Sequence, residues 1–196
     1  MRQWQCKLRI VAACVTAAAA VLAGCGKQAA PAPAPLPDEV TYAAIGHYCG
    51  MPLADHEGPK GQIHLAGQHE PVWFSSVRDT IAFTRLPEEP RDITAIYVND
   101  MGRAKNWARP EPGTWTDARK AWFVIDSDAR GGMGAPEAVP FSDKAAAEAF
   151  RALHHGRVLR LAEIPDSFVL GPVDLVLPSP SAKPAPAAAA ASTLHP

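Results

Sequence analysis

The sequence predicts an α+β fold of two small strand–strand–helix units with flexible Ala/Pro-rich termini. Short runs rich in β-branched and aromatic residues alternate with two segments of helical period, and these two segments repeat one another. Proline and alanine dominate the stretches on either side, which cannot bury a core. The 196 residues fit one modest domain plus tails. A formal net charge of -1 argues against a nucleic-acid binder, and 4 cysteines are too few for a disulfide framework.

At the N-terminus, Arg2, Lys7 and Arg9 precede an apolar run over residues 10–22, the layout of an export signal too short to span a bilayer. Leu22-Ala23-Gly24-Cys25 resembles a bacterial lipobox, the alternative being an ordinary cleavage site that contains a cysteine. The resemblance implies a lipoprotein signal over residues 1–24 and lipidation of Cys25. With Gly26 rather than an acidic residue next, it leans towards the outer membrane. Loss of three positive charges and no negative ones would leave the exported chain more acidic. Residues 25–39, with alternating Pro31, Pro33, Pro35 and Pro37, read as a lipid anchor and extended spacer. The folded domain is expected over 40–177, followed by an Ala/Pro-rich tail over 178–196.

Within the domain, residues 93–98 and 121–125 are the clearest strands, with weaker ones at 62–66 and 158–161. Residues 75–86 read as a helix, with Ser76 and Asp79 at capping-box spacing. Residues 142–154 read as a second, in which Ala146, Ala149, Phe150 and Leu153 share a face and Gly156 follows as a stop. Phe74-Ser75 leads to Ala82-Phe83 with the spacing by which Phe141-Ser142 leads to Ala149-Phe150. Each pair lies just after a strand or turn containing a proline, Pro71 or Pro140. Coincidence in an alanine-rich chain competes with duplication of one unit.

Export discards Cys6 and Cys14 and acylates Cys25, so Cys49 is the one free thiol. It is either an inert buried residue or a working thiolate. In His47-Tyr48-Cys49-Gly50-Met51, an extended chain would aim imidazole, thiol and thioether to one side, whereas a tight knuckle at Gly50 would converge the two sulfurs. Thiolate with thioether is a soft pair that selects Cu(I). Met133 in Gly131-Gly132-Met133-Gly134 follows a strand directly, as either a turn residue or a ligand on a loop held by a rigid element. Met101 also neighbours a glycine but receives no ligand role. His56 could swing back as a third ligand. His64 is a further candidate, although its alternation with Ile63 and Leu65 also suits the solvent face of a strand. No Ser/His/Asp set or paired acid constellation suggests catalysis.

The lipobox, then GHYCGM, DHEGPKGQIHL, PVWFSSVRDTIAF, AIYVNDMG and GGMGAPEAVPFS in this order resemble the NosL family across nearly all of 41–162. The resemblance implies a fold related to treble-clef and organomercurial-lyase N-terminal domains. It implies a periplasmic, lipid-anchored copper chaperone, not an enzyme, that carries one Cu(I) for the copper-sulfide centre of nitrous-oxide reductase. The implied partner is NosD of an ABC-type maturation complex. Some members carry a second cysteine where this chain has Gly46, so a four-thiolate site is not expected here. What carries over is Cys49, Met51 and Met133. Two competing readings are a thiol-dependent enzyme with Cys49 as nucleophile and a structural lipoprotein whose thiol is merely buried.

Overall fold

The computed structural model describes residues 33–173. The expected export signal, Cys25 and the 178–196 tail lie outside the described residues. Among those described, no helix is long and apolar enough to cross a membrane.

Among the described residues, seven strands form two antiparallel sheets. The first sheet contains β1 (Gly61–Leu65), β2 (Val72–Phe74), β3 (Ile93–Asn99) and β4 (Trp115–Asp117) in the order β2-β1-β3-β4. The second contains β5 (Trp122–Ile125), β6 (Val139–Phe141) and β7 (Arg157–Arg160) in the order β6-β5-β7. Helix α1 (Val77–Arg85) follows β2, α2 (Lys144–His154) follows β6, and the short α3 (Asp166–Leu170) closes the domain.

The duplication read from the helices extends to topology. In each unit the first strand lies in the middle, the second pairs on one side, a helix crosses, and the third strand pairs on the other side. Phe74 ends β2 opposite Gly61, the first residue of β1, and Phe141 ends β6 opposite Trp122, the first residue of β5. The helix caps occupy matching places: Ser76 Oγ accepts from Asp79 N at 3.0 Å, and Asp143 Oδ2 accepts from Ala146 N at 3.0 Å. Strands β2 and β6 are three residues long and carry no alternation, and β6 contains Pro140. That proline is tolerated because β6 is an edge strand.

The main core lies between the units. Ile63 and Leu65 of β1, Phe74, Val77, Ile81 and Phe83 around α1, and Ile96 and Val98 of β3 meet Phe123 and Ile125 of β5. Each large side chain buried here contributes about 1.5–3 kcal/mol. The alternate residues of β5 turn the other way, where Val124 joins Val139, Phe141 and Ala147 in a second cluster under α2. Helix α1 crosses β1 so closely that a Cβ at Gly61 would lie 1.9 Å from Thr80 Oγ1, which accounts for the glycine.

Two sequence expectations are corrected here. The buried stripe of α2 centres on Ala147, with Ala146 and Phe150 half-buried, whereas Ala149 is exposed and Leu153 is 77% exposed. Alanines all round this helix leave its rotation undetermined by hydrophobicity, and Phe150 sets it by packing on Phe141 and stacking with Trp107. His64 faces no solvent, because β1 is buried on both sides. Chain from 35–39 covers its second face: Gln62 exchanges two 2.8 Å hydrogen bonds with the Asp38 backbone, and Tyr97 OH donates to Pro35 O at 2.6 Å.

Candidate metal centre

Residues 46–51 form a knuckle, not an extended run. An antiparallel bridge joins Ile45 to Pro52, Gly46 N donates to Met51 O at 2.9 Å, and Gly50 N donates to Gly46 O at 2.8 Å. Gly50 takes a left-handed φ of 65° that a side chain would disfavour. The Cys49 sulfur lies over Gly46, where an added Cβ would come within 2.6 Å of it. The alternative in which His47, Cys49 and Met51 share one side is therefore corrected. His47 turns away to Glu89, with Nε2 3.3 Å from Oε1, and packs edge-on against Phe74 and Phe83. Tyr48 OH donates to the same Glu89 oxygen at 2.8 Å, and burial and this carboxylate push its phenol pKa up.

After the knuckle, buried Leu53 anchors a 3-10 turn at Leu53–Asp55, and the chain returns His56 to the thiol. Cys49 is half-buried, and its Sγ lies 3.5 Å from His56 Nε2. The other ring nitrogen of His56, Nδ1, is 3.2 Å from Gly132 O. For that bond Nδ1 must carry the proton, which leaves the Nε2 lone pair facing Cys49. His56 thus links the knuckle to the loop that carries Met133, across 76 residues of sequence.

That loop is a tight turn. Gly134 N donates to Gly131 O at 2.8 Å, Gly131 N donates to Ala135 O at 2.9 Å, and Gly134 has a φ of 76°. This is a type I turn closed by a left-handed glycine, with Met133 at its tip. Gly132 lies so close to the knuckle side that a Cβ would meet His56 Cβ at 2.5 Å and Glu57 O at 3.1 Å. Met133 and Met51 are 47% and 41% exposed, so both thioethers are open to an incoming ion or partner. Among the described residues no three His, Cys, Asp or Glu side chains converge, and Cys49 with His56 is the pair of such donors at this place.

The other candidates lie elsewhere. His64 donates from Nε2 to Gln62 Oε1 at 2.9 Å, and burial pushes its pKa down, which keeps it neutral. It bonds to no residue of the knuckle or the glycine loop. Met101 packs against the second hydrophobic cluster.

Two buried charged residues, Glu137 and Lys60, receive no role in the sequence reading, and Glu137 supports the loop. Glu137 is 1% exposed, and its Oε1 accepts from Arg78 N at 3.0 Å and Ala138 N at 2.8 Å. Its Oε2 has no hydrogen-bond partner and lies against Gly131, where a Cβ would approach to 2.4 Å. The carboxyl thereby ties the base of the Met133 loop to the start of α1, and burial pushes its pKa up to about 8. Buried Lys60 donates to Gly58 O at 2.6 Å, and burial lowers its pKa to about 8 although Glu137 and Glu57 oppose this. The signal for Glu137 was a lone charge entering the apolar run before Phe141.

Comparison with known proteins bears on this geometry. The family model NosL matches residues 37–169. The copper-binding lipoprotein NosL of Achromobacter cycloclastes is 49% identical over 161 residues, 82% of each chain. The protein of the same description from Stutzerimonas stutzeri is 37% identical over 119 residues, 60% of each chain. The crystal structure of the copper chaperone NosL from Shewanella denitrificans superposes with a TM-score of 0.64 at 32% identity, covering 69% of this chain and 99% of that one. These relatives are named for binding or chaperoning a metal, not for catalysis. From the extent of the family match and these identities, the chain belongs to the NosL family.

Proposed function

We propose that this chain is a lipid-anchored periplasmic Cu(I) carrier whose metal is held by Cys49, Met51 and Met133, with His56 as the added nitrogen ligand. The observation that carries the reading is the contact of Cys49 Sγ with His56 Nε2, with His56 in turn fixed on the turn that presents Met133. Thiolate, thioether and imidazole suit Cu(I), and a carboxylate-free set gives hard cations little to bind. The named copper binding of the relatives supports the same cargo.

The exposed thioethers set the direction of transfer. A partner's sulfur can approach from the Met51 and Met133 side and join the coordination before Cys49 lets go, so copper moves without release into solution. NosD of the ABC-type maturation complex is the proposed acceptor, and assembly of the copper-sulfide centre of nitrous-oxide reductase is the proposed destination. An acyl anchor on Cys25 would confine the carrier to a membrane surface facing the periplasm, with the outer membrane preferred. The thiol–imidazole contact would also suit a nucleophile, but no carboxylate orients His56, whose second nitrogen meets a backbone carbonyl.

Titration of the apoprotein with Cu(I) against a competing chelator tests the reading. The expected result is retention of about one Cu(I) per chain, no displacement by equimolar Zn²⁺, and passage of the metal to NosD. Failure to retain Cu(I), or equal retention of Zn²⁺, overturns it.

A further inference from the structure

Away from the thiol, a second feature has chemistry of its own. Three arginines from three different elements line one cavity of about 430 Å³: Arg85 at the end of α1, Arg119 in the turn between β4 and β5, and Arg160 at the end of β7. Ile96, Leu161 and Ala162 form the apolar part of its wall, and no carboxylate lines it. Bringing three arginines to one cavity wall is unfavourable unless something offsets the repulsion of their charges. In a chain with a net charge of -1, such a cluster is not a consequence of general basicity.

The protein holds these side chains mainly with backbone carbonyls, with one acid, Asp166, beside Arg85. Arg119 donates to Thr94 O at 3.3 Å and Ile93 O at 3.4 Å, and Arg85 donates from Nη2 to Leu161 O at 3.1 Å. Arg160 donates to Lys120 O and Ala121 O while its guanidinium lies 3.5 Å from the centre of the Trp122 ring. Among the described residues neither Arg119 nor Arg160 forms an ion pair, and Arg85 has only Asp166, at 3.7 Å. The Nε of Arg85 makes no hydrogen bond, and it is the atom that lies 3.7 Å from Asp166 Oδ1. Carbonyl contacts fix the forks of Arg119 and Arg160 and leave their charge uncompensated, while Arg85 shares its charge with the exposed Asp166, a preorganised arrangement for an oxyanion.

We propose that this cavity binds a phosphoryl group, supplied either by an anionic phospholipid headgroup or by free phosphate. The site is independent of the copper reading, since none of its residues belongs to the knuckle or the glycine loop. A bound headgroup would orient the domain on its membrane, and free phosphate would cross-link α1, β7 and the β4–β5 turn.

The test uses the chain from residue 25 with Cys25→Ser, so that no acyl anchor masks the result. Inorganic phosphate is titrated while the arginine Nε–H resonances are followed by NMR, and co-sedimentation is measured with phosphatidylcholine vesicles with and without phosphatidylglycerol. Arg119→Gln is the main variant, because Arg119 is exposed and its loss disturbs packing least. Arg160→Gln is the second, read alongside a thermal melt. Saturable phosphate shifts at Arg85, Arg119 and Arg160, weakened about tenfold or more by Arg119→Gln, identify free phosphate as the source. Phosphatidylglycerol-dependent sedimentation lost in the same variant identifies the headgroup. Shifts matched by chloride at equal ionic strength, binding unchanged in both variants, or no binding in either arm overturns the proposal.

Discussion

Replacing Cys49 by serine is expected to weaken Cu(I) binding by at least about 100-fold in the competition titration, more than the loss of any other single side chain. The thiolate is the one anionic soft donor of the proposed set, and a serine hydroxyl is a hard, neutral and poorer ligand. Its loss should leave the fold intact, because Cys49 is half-buried and its sulfur makes only contacts of 3.5 Å or longer. The thermal midpoint of the apoprotein is therefore expected to move by no more than a few degrees. Met51→Ala, which removes one thioether of several donors, is expected to have a smaller effect, about tenfold. Wild-type affinity in Cys49→Ser would place the copper elsewhere.

Glu137→Gln is expected to stabilise the apoprotein by about 1–3 kcal/mol at pH 7 and to flatten its stability profile between pH 5 and 8. Burial holds the folded-state pKa of this carboxyl at about 8, against an ordinary 4.5. Below pH 4.5 the group is protonated in both states and contributes no pH dependence. As pH rises towards 8 the unfolded chain gives up the proton while the folded chain keeps it, so folding becomes progressively less favourable; above 8 the penalty is constant. Glutamine reproduces the neutral form, since its carbonyl can accept the same bonds from Arg78 N and Ala138 N. Lys60 acts with the opposite sign. Its folded pKa is lowered to about 8 from 10.5, so its penalty is full below pH 8 and disappears as pH rises to 10.5. The two together give the wild-type apoprotein a stability minimum near pH 8, measurable by urea unfolding across this range. Parallel profiles for the wild type and Glu137→Gln would show that the carboxyl is already ionised in the folded chain.

The chain announces its helices and long strands more clearly than the side of the molecule each residue serves. Ser76, Val77 and Phe83 mark α1, and the β-branched run of β3 marks the longest strand, because capping and patterning act within a few neighbouring residues. β2 and β6 are too short to show a period, and their existence follows from pairing with β1 and β5. His64 looked half-exposed by alternation because nothing local reveals that residues 35–39 return to cover β1. The chemistry-bearing residue types of the site were legible: a lone thiol, a thioether two positions on, and a methionine among glycines. The contact between His56 and Gly132 was not, since it depends on how two loops separated by most of the domain come together. The turn away of His47 depends likewise on Glu89, which lies beyond α1.

The most direct test of the copper site is X-ray absorption at the copper K-edge of the Cu(I)-loaded chain, compared with Met133→Ala. The account predicts a low-coordinate Cu(I) edge with a sulfur-dominated first shell that loses one sulfur scatterer in the variant. A shell of nitrogen and oxygen alone, or a spectrum unchanged by the loss of Met133, would contradict it.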